Sequence, residues 1–108
     1  KNHTFMEKWK KSPGDKEIIM WWLRLKDEKN KIVNLLIDTG TSKTFIKGSN
    51  NKKNLTFKGV DNISKDNLII KNPIDYNKQQ SNIIGADNIS TWSWIFVNYD
   101  TFELYIKT

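Results

Sequence analysis

Apolar residues in this chain fall into short runs separated by polar stretches, and most runs carry the chemistry of strands. Glu17-Ile18-Ile19-Met20-Trp21-Trp22-Leu23-Arg24-Leu25 is rich in β-branched and aromatic side chains and predicts a strand. The charged residues 26–31 predict a turn, and Ile32-Val33-Asn34-Leu35-Leu36-Ile37 predicts the returning strand of a hairpin. Thr44-Phe45-Ile46, a segment beginning at Leu55-Thr56-Phe57, and Asn67-Leu68-Ile69-Ile70-Lys71 predict three further strands, with a polar loop over 47–54. Ile83-Ile84-Gly85 is a brief apolar run closed by glycine. Asp87 is placed to cap a short helix running to about Thr91. Trp92 to Val97 and Phe102-Glu103-Leu104-Tyr105-Ile106 predict a terminal hairpin turning at 98–101. Many short strands with one short helix define an all-β domain. Its predicted extent is 16–108, with residues 1–15 as an N-terminal extension or linker.

Composition narrows the chemistry. The 108 residues fit one domain. No apolar stretch approaches the roughly 20 residues that span a bilayer, so no membrane partner is expected. With no cysteine and His3 as the only histidine, thiolate nucleophiles, disulfides, histidine-based triads and zinc sites have no ligands or bases to work with. No metal or cofactor is expected, and carboxylates are left as the catalytic groups. The net charge of +6 raises nucleic acid as a partner. However, 17 of the 18 basic residues are lysine, spread along the whole chain, whereas base readout favours arginine. Together with 13 asparagines, they fit a coding bias toward A/T-rich codons and a solvated basic surface.

One segment carries candidate chemistry: Leu35-Leu36-Ile37-Asp38-Thr39-Gly40-Thr41-Ser42. A buried strand delivers a carboxylate into a turn, and the apolar residues before it give the rigid support a catalytic group needs. Gly40 allows a tight turn and close approach of another chain. Thr39 supplies a hydroxyl able to tie the loop to neighbouring backbone. Asp-Thr-Gly alone arises by chance on the order of once in fifty chains of this length, and its bland reading is a polar turn after a strand. The second apolar-apolar-glycine element at Ile83-Ile84-Gly85 raises its weight.

Taken together, Leu35 to Ser42, Asn82-Ile83-Ile84-Gly85 before a helix, and a terminal strand at Phe102 to Ile106 resemble the retropepsin family of small aspartic proteases of retroviruses and retrotransposons. The resemblance spans roughly residues 16–108. It implies a retropepsin-like fold with one short C-terminal helix and an active site at a homodimer interface. It also implies endopeptidase cleavage of extended segments of a polyprotein containing this domain, in the cytoplasm or within a viral or virus-like particle. Asp38, Thr39 and Gly40 would be the catalytic loop, with Thr39 hydroxyls crossing to the partner loop. Leu36, Thr41, Ser42 and Ile83 would contact substrate. A flap over residues 55–70, with its tip at Gly59-Val60-Asp61-Asn62, would close over it.

The chain departs from that pattern in three places. Thr41 stands where many relatives carry alanine, which predicts an extra hydrogen bond at the carboxylate. Ser42 and Ala86 stand where many relatives carry an acid and an arginine, so both members of an ion pair are missing together. Only 47 positions separate Asp38 from Gly85, which predicts a shortened flap or a missing hairpin. Two alternatives follow: a catalytically silent retropepsin-like dimerisation domain, and a small basic β domain that binds nucleic acid.

Overall fold

The computed structural model describes residues 3–9, 14, 16, 18–60, 67–75, 81–101 and 103–107. They form eight strands and one short helix: β1 (His3–Trp9), β2 (Ile18–Lys26), β3 (Ile32–Ile37), β4 (Asn54–Gly59), β5 (Asn67–Lys71), β6 (Asn82–Ile84), α1 (Ala86–Ile89), β7 (Trp94–Asn98) and β8 (Glu103–Lys107). The described residues are therefore all-β apart from α1.

β2 is the central strand. One edge pairs antiparallel with β3, with Leu23 opposite Leu35 and Leu25 opposite Val33. Its other edge is shared. β1 pairs antiparallel from Trp9↔Ile18 to His3↔Arg24, and β4 takes over at Leu25↔Gly59 and Lys26↔Lys58. Seven of the fifteen residues that the sequence sets apart as an extension are thus paired into the sheet as β1. A polar stretch can do this because an open strand edge supplies hydrogen bonds regardless of side chain. β5 pairs with β4 at one end of the sheet, and β6 runs parallel to β3 at the other. β7 and β8 form a separate two-stranded sheet.

Local chemistry sets the turns. In the β2–β3 turn, one Asp27 carboxylate oxygen accepts the amides of Lys29 and Lys31, each at 2.9 Å. Asn30 takes a left-handed conformation there, a conformation asparagine tolerates better than other non-glycine residues. Among the described residues every non-glycine residue with positive φ is an asparagine: Asn30, Asn50, Asn51 and Asn72. Part of the asparagine excess is thus used by the backbone.

The core lies on one face of the sheet. Leu23, Leu25, Leu35, Ile70 and Ile84 are fully buried, and Phe57, Leu68, Ile46 and Trp92 complete the cluster. Period-2 alternation accounts for Leu68 and Ile70, whose neighbours Asn67, Ile69 and Lys71 are exposed. Ile95, Val97 and Ile106 pack the terminal hairpin against the cluster. Trp92 and Trp94 do not share a face, contrary to the extended reading of residues 92–97. Trp92 is 8% exposed and lies in the turn after α1, whereas Trp94 is 50% exposed at the start of β7. Trp21 and Trp22 are both half-buried.

Candidate active-site loop

β3 and β6 build the site's base. Leu36 lies opposite Ile83 and Ile37 opposite Ile84, and all but the half-buried Ile37 are buried at these rungs. Burial on both faces suits a parallel pair of apolar strands. The ladder extends one step further, because the Asp38 amide donates to the Ile84 carbonyl at 3.0 Å. Strand alternation continued by one residue carries Asp38 to the Leu36 side of the sheet.

The chain then turns. The Thr41 amide donates to the Asp38 carbonyl at 3.3 Å, and the Gly40 amide donates to Asp38 Oδ1 at 3.0 Å. The Thr41 hydroxyl donates to Asp38 Oδ2 at 2.9 Å. Each carboxylate oxygen thus has one donor from its own loop, which fixes the side chain in a half-buried position. The extra hydrogen bond expected from Thr41 is present. Thr39 differs from expectation: it is exposed, and its hydroxyl ties to no backbone among the described residues. Gly40 works by closeness, since a Cβ there would sit 3.2 Å from Asp38 Oδ1.

After residue 43 the chain comes back along β6 on the side away from β3. The Phe45 amide donates to the Ile83 carbonyl at 2.9 Å, and the Ile83 amide donates to the Phe45 carbonyl at 2.8 Å. Phe45 also bridges in parallel to Ile74. β6 is therefore threaded between β3 and residues 44–46, and the Asp38 loop arches over its end. Gly85 lies directly beneath the arch. A Cβ at Gly85 would fall 2.5 Å from the Lys43 carbonyl carbon and 2.7 Å from the Thr41 carbonyl oxygen.

The first amides of α1 close the arch. Ala86 donates to the Thr41 carbonyl at 2.7 Å and Asp87 to the Ser42 carbonyl at 3.2 Å. These are the orphan donors of a helix start. Backbone bonds thus join Ala86 to Thr41 and Asp87 to Ser42, beside the positions, 42 and 86, where the retropepsin pattern would place an ion pair. Gly85, not Asp87, is the N-cap, and α1 ends at Ile89. Tighter i→i−3 bonds from Thr91 and Trp92 continue the turn.

Asp87 instead belongs to a buried polar knot that sequence reading missed. The Thr44 hydroxyl donates to Asp87 Oδ1 at 2.7 Å. It accepts from the Gly85 amide at 3.0 Å and from Asn88 Nδ2 at 2.8 Å. A hydroxyl has one proton and two lone pairs, and here all three are used. Asn88, 1% exposed, also exchanges two hydrogen bonds with the Lys71 backbone at the end of β5. The signal for this knot in the sequence is faint: single polar residues beside apolar runs. Thr44→Val keeps the shape but takes a hydrogen bond from three partners and leaves the buried Gly85 amide with none, and the expected loss is about 1–3 kcal/mol. Urea unfolding at fixed protein concentration should show a lower midpoint with unchanged slope, and Thr44→Ser should recover most of it.

Of the remaining expected site residues, Leu36, Thr41, Ser42 and Ile83 gather with Asp38 around this loop. Gly59 and Val60 do not. Gly59 ends β4 opposite Leu25, which is itself opposite Val33, roughly 16 Å along β3 from Asp38. β4 and β5 form a hairpin joined to the sheet through the end of β2, and tip residues Asp61 and Asn62 lie outside the described residues. The hairpin pattern was legible in the sequence; which strand edge it would join was not.

No group of three or more His, Cys, Asp or Glu able to hold a metal occurs among the described residues, and no helix there is long and apolar enough to cross a membrane. No family model, curated protein or solved structure matches the chain.

Proposed function

We propose that this chain is one subunit of a homodimeric aspartic endopeptidase of the retropepsin type, with Asp38 from each copy forming a shared carboxylate pair. The observation that carries the reading is the Asp38 loop itself. A carboxylate stands at the end of a buried strand, held by the Gly40 amide and the Thr41 hydroxyl, on an arch closed by Gly85. One carboxylate cannot serve as both acid and base toward one water, and the chain holds a single Asp-Thr-Gly. A second copy supplies the other.

Two facing carboxylates cannot both ionise, so they share one proton and titrate as a pair. The ionised member takes a proton from the bound water as its oxygen attacks the scissile carbonyl. The protonated member gives its proton to the carbonyl oxygen. The C–N bond then breaks as the leaving nitrogen takes the proton that the first carboxyl had from water. The second carboxylate takes one from a hydroxyl of the intermediate, which yields a carboxylic acid and an amine and restores the pair. Leu36 and Ile83 on the same side of the sheet provide an apolar wall for substrate side chains. The exposed Thr39 hydroxyl is free to reach the partner loop.

An exposed aromatic face supports the dimer. Trp94, Phe96 and Tyr99 are 50%, 55% and 64% exposed on the terminal hairpin. Tyr99 packs edge-on to Trp21 at 5.4 Å, and Trp21 is opposite Ile37, on the sheet face away from Asp38. An apolar patch of this kind marks an interaction surface.

The sheet-bound position of Gly59 favours a second reading, a silent dimerisation domain of the same architecture without a working flap. Cleavage of a peptide library by the wild type and by Asp38→Asn, beside sedimentation of both, separates the two. The protease reading requires wild-type cleavage lost in the variant and dimers in both. Dimers without cleavage establish the silent domain, and monomers in both overturn either form.

Thr41 gives a further prediction for the active enzyme. Its hydroxyl fixes the position of Asp38 Oδ2, and a loosened carboxylate acts less often from the productive geometry. Thr41→Ala is expected to lower kcat about tenfold, with Thr41→Ser recovering most of it. An unchanged kcat in Thr41→Ala would remove this role.

A further inference from the structure

A concave site lies away from the Asp38 loop, between the β2–β3 turn and the loop after Ile46. Its volume is about 310 Å³, at the small end of ligand-binding clefts. Lys29 and Lys31 line it from the β2–β3 turn, and Lys47 and Lys52 from the loop after Ile46. All four are exposed and make no ion pair among the described residues. Asp27 also lines the cleft, but one of its carboxylate oxygens is spent on the amides of Lys29 and Lys31. Glu28 is the other acid of the lining, so the cleft has an excess of positive charge.

The floor is apolar, formed by Val33, Ile46, Leu55 and Phe57. Ser49 also lines the cleft, is 2% exposed, and its hydroxyl is buried without a hydrogen-bond partner. An unpaired buried hydroxyl is uncommon in a folded protein and calls for a missing partner. The surrounding loop is held in place from behind. Asp75 accepts the Gly48 and Asn50 amides at 3.0 and 2.8 Å, and the Asp75 amide donates to Asn51 Oδ1 at 2.9 Å. The cleft is therefore a supported surface with three matched features: flanking cations, an apolar floor and an unsatisfied hydroxyl.

We propose that this cleft docks an acidic peptide segment, with carboxylates toward the lysines and an apolar side chain on the floor. The chemistry favours a peptide over nucleic acid. The floor is aliphatic apart from the buried Phe57, and it offers no exposed aromatic face on which a base could stack. Its cations are lysines, point charges that pair with carboxylates without demanding a planar fork. The site does not involve Asp38.

The test measures binding by titration of a fluorescent peptide alternating glutamate and leucine, on the wild type and on Asp38→Asn so that cleavage is read apart from docking. Controls are a glutamine–leucine peptide, a glutamate–serine peptide and a short oligothymidylate. Lys31→Glu with Lys47→Glu should weaken glutamate–leucine binding about tenfold or more. Lys16→Glu with Lys107→Glu, which changes net charge equally on exposed sites outside the cleft, should leave it within about twofold. Both control peptides should bind more weakly. Equal losses from the two double variants, no binding of the glutamate–leucine peptide, or tighter oligothymidylate binding that is lost with Lys31 and Lys47 would each overturn the proposal.

Discussion

Asp38→Asn is expected to lower kcat for peptide cleavage by about a thousandfold or more while leaving fold and subunit association intact. The substitution keeps the side chain's shape, and its carbonyl oxygen can still accept the Gly40 amide that now reaches Oδ1. The arch under the loop is made of backbone bonds from Asp38, Ala86 and Asp87, none of which depends on the carboxylate. What is lost is proton chemistry. An amide can neither take a proton from water nor pass one to the scissile carbonyl, and each dimer would lose both members of its pair. Initial rates on a cleavable peptide, with circular dichroism and sedimentation on the same samples, check the prediction. A variant that cleaves within tenfold of wild type would place the chemistry elsewhere.

Gly85→Ala should be the most damaging small substitution for stability. The added methyl meets the Lys43 and Thr41 carbonyl groups, which are backbone and cannot swing aside like a side chain. Relief requires the arch to lift, stretching the Ala86-to-Thr41 bond and the Gly85 amide's bond to the Thr44 hydroxyl. The expected cost is about 3 kcal/mol or more, a fall in Tm on the order of 10–20 °C for a domain of this size. Because the arch carries Asp38, the folded fraction should also lose activity. Gly48→Ala is the control: its φ is +80° but nothing lies within 4 Å of its Cβ position, so only left-handed strain of about 1 kcal/mol is expected. Thermal melts of both variants decide the matter, and equal Tm values for Gly85→Ala and wild type would contradict the arch geometry.

The elements along the chain were largely legible. The runs at 17–25, 32–37 and 67–71 became β2, β3 and β5 within a residue or so, because β-branched and aromatic side chains favour a pleated, half-buried surface. The terminal hairpin was legible for the same reason, although its first strand begins at Trp94 rather than Trp92. β1 was not, since its pairing comes from the open edge of β2. The Asp38 loop stood out because a carboxylate following three apolar residues is unusual. The Thr44–Asp87–Asn88 knot did not, because its members lie up to 44 residues apart and none is distinctive alone.

The sequence by itself determined the composition of strands, the lone Asp-Thr-Gly and the lack of cysteine, because these depend on residues near one another or on simple counts. Tertiary structure decided that β6 threads between β3 and residues 44–46, that Gly85 must yield its side-chain space to the arch, and that Gly59 joins β2 far from Asp38. The physical reason is that backbone hydrogen bonds are indifferent to residue type. They can join any two open edges, and which edges meet depends on how the whole core closes.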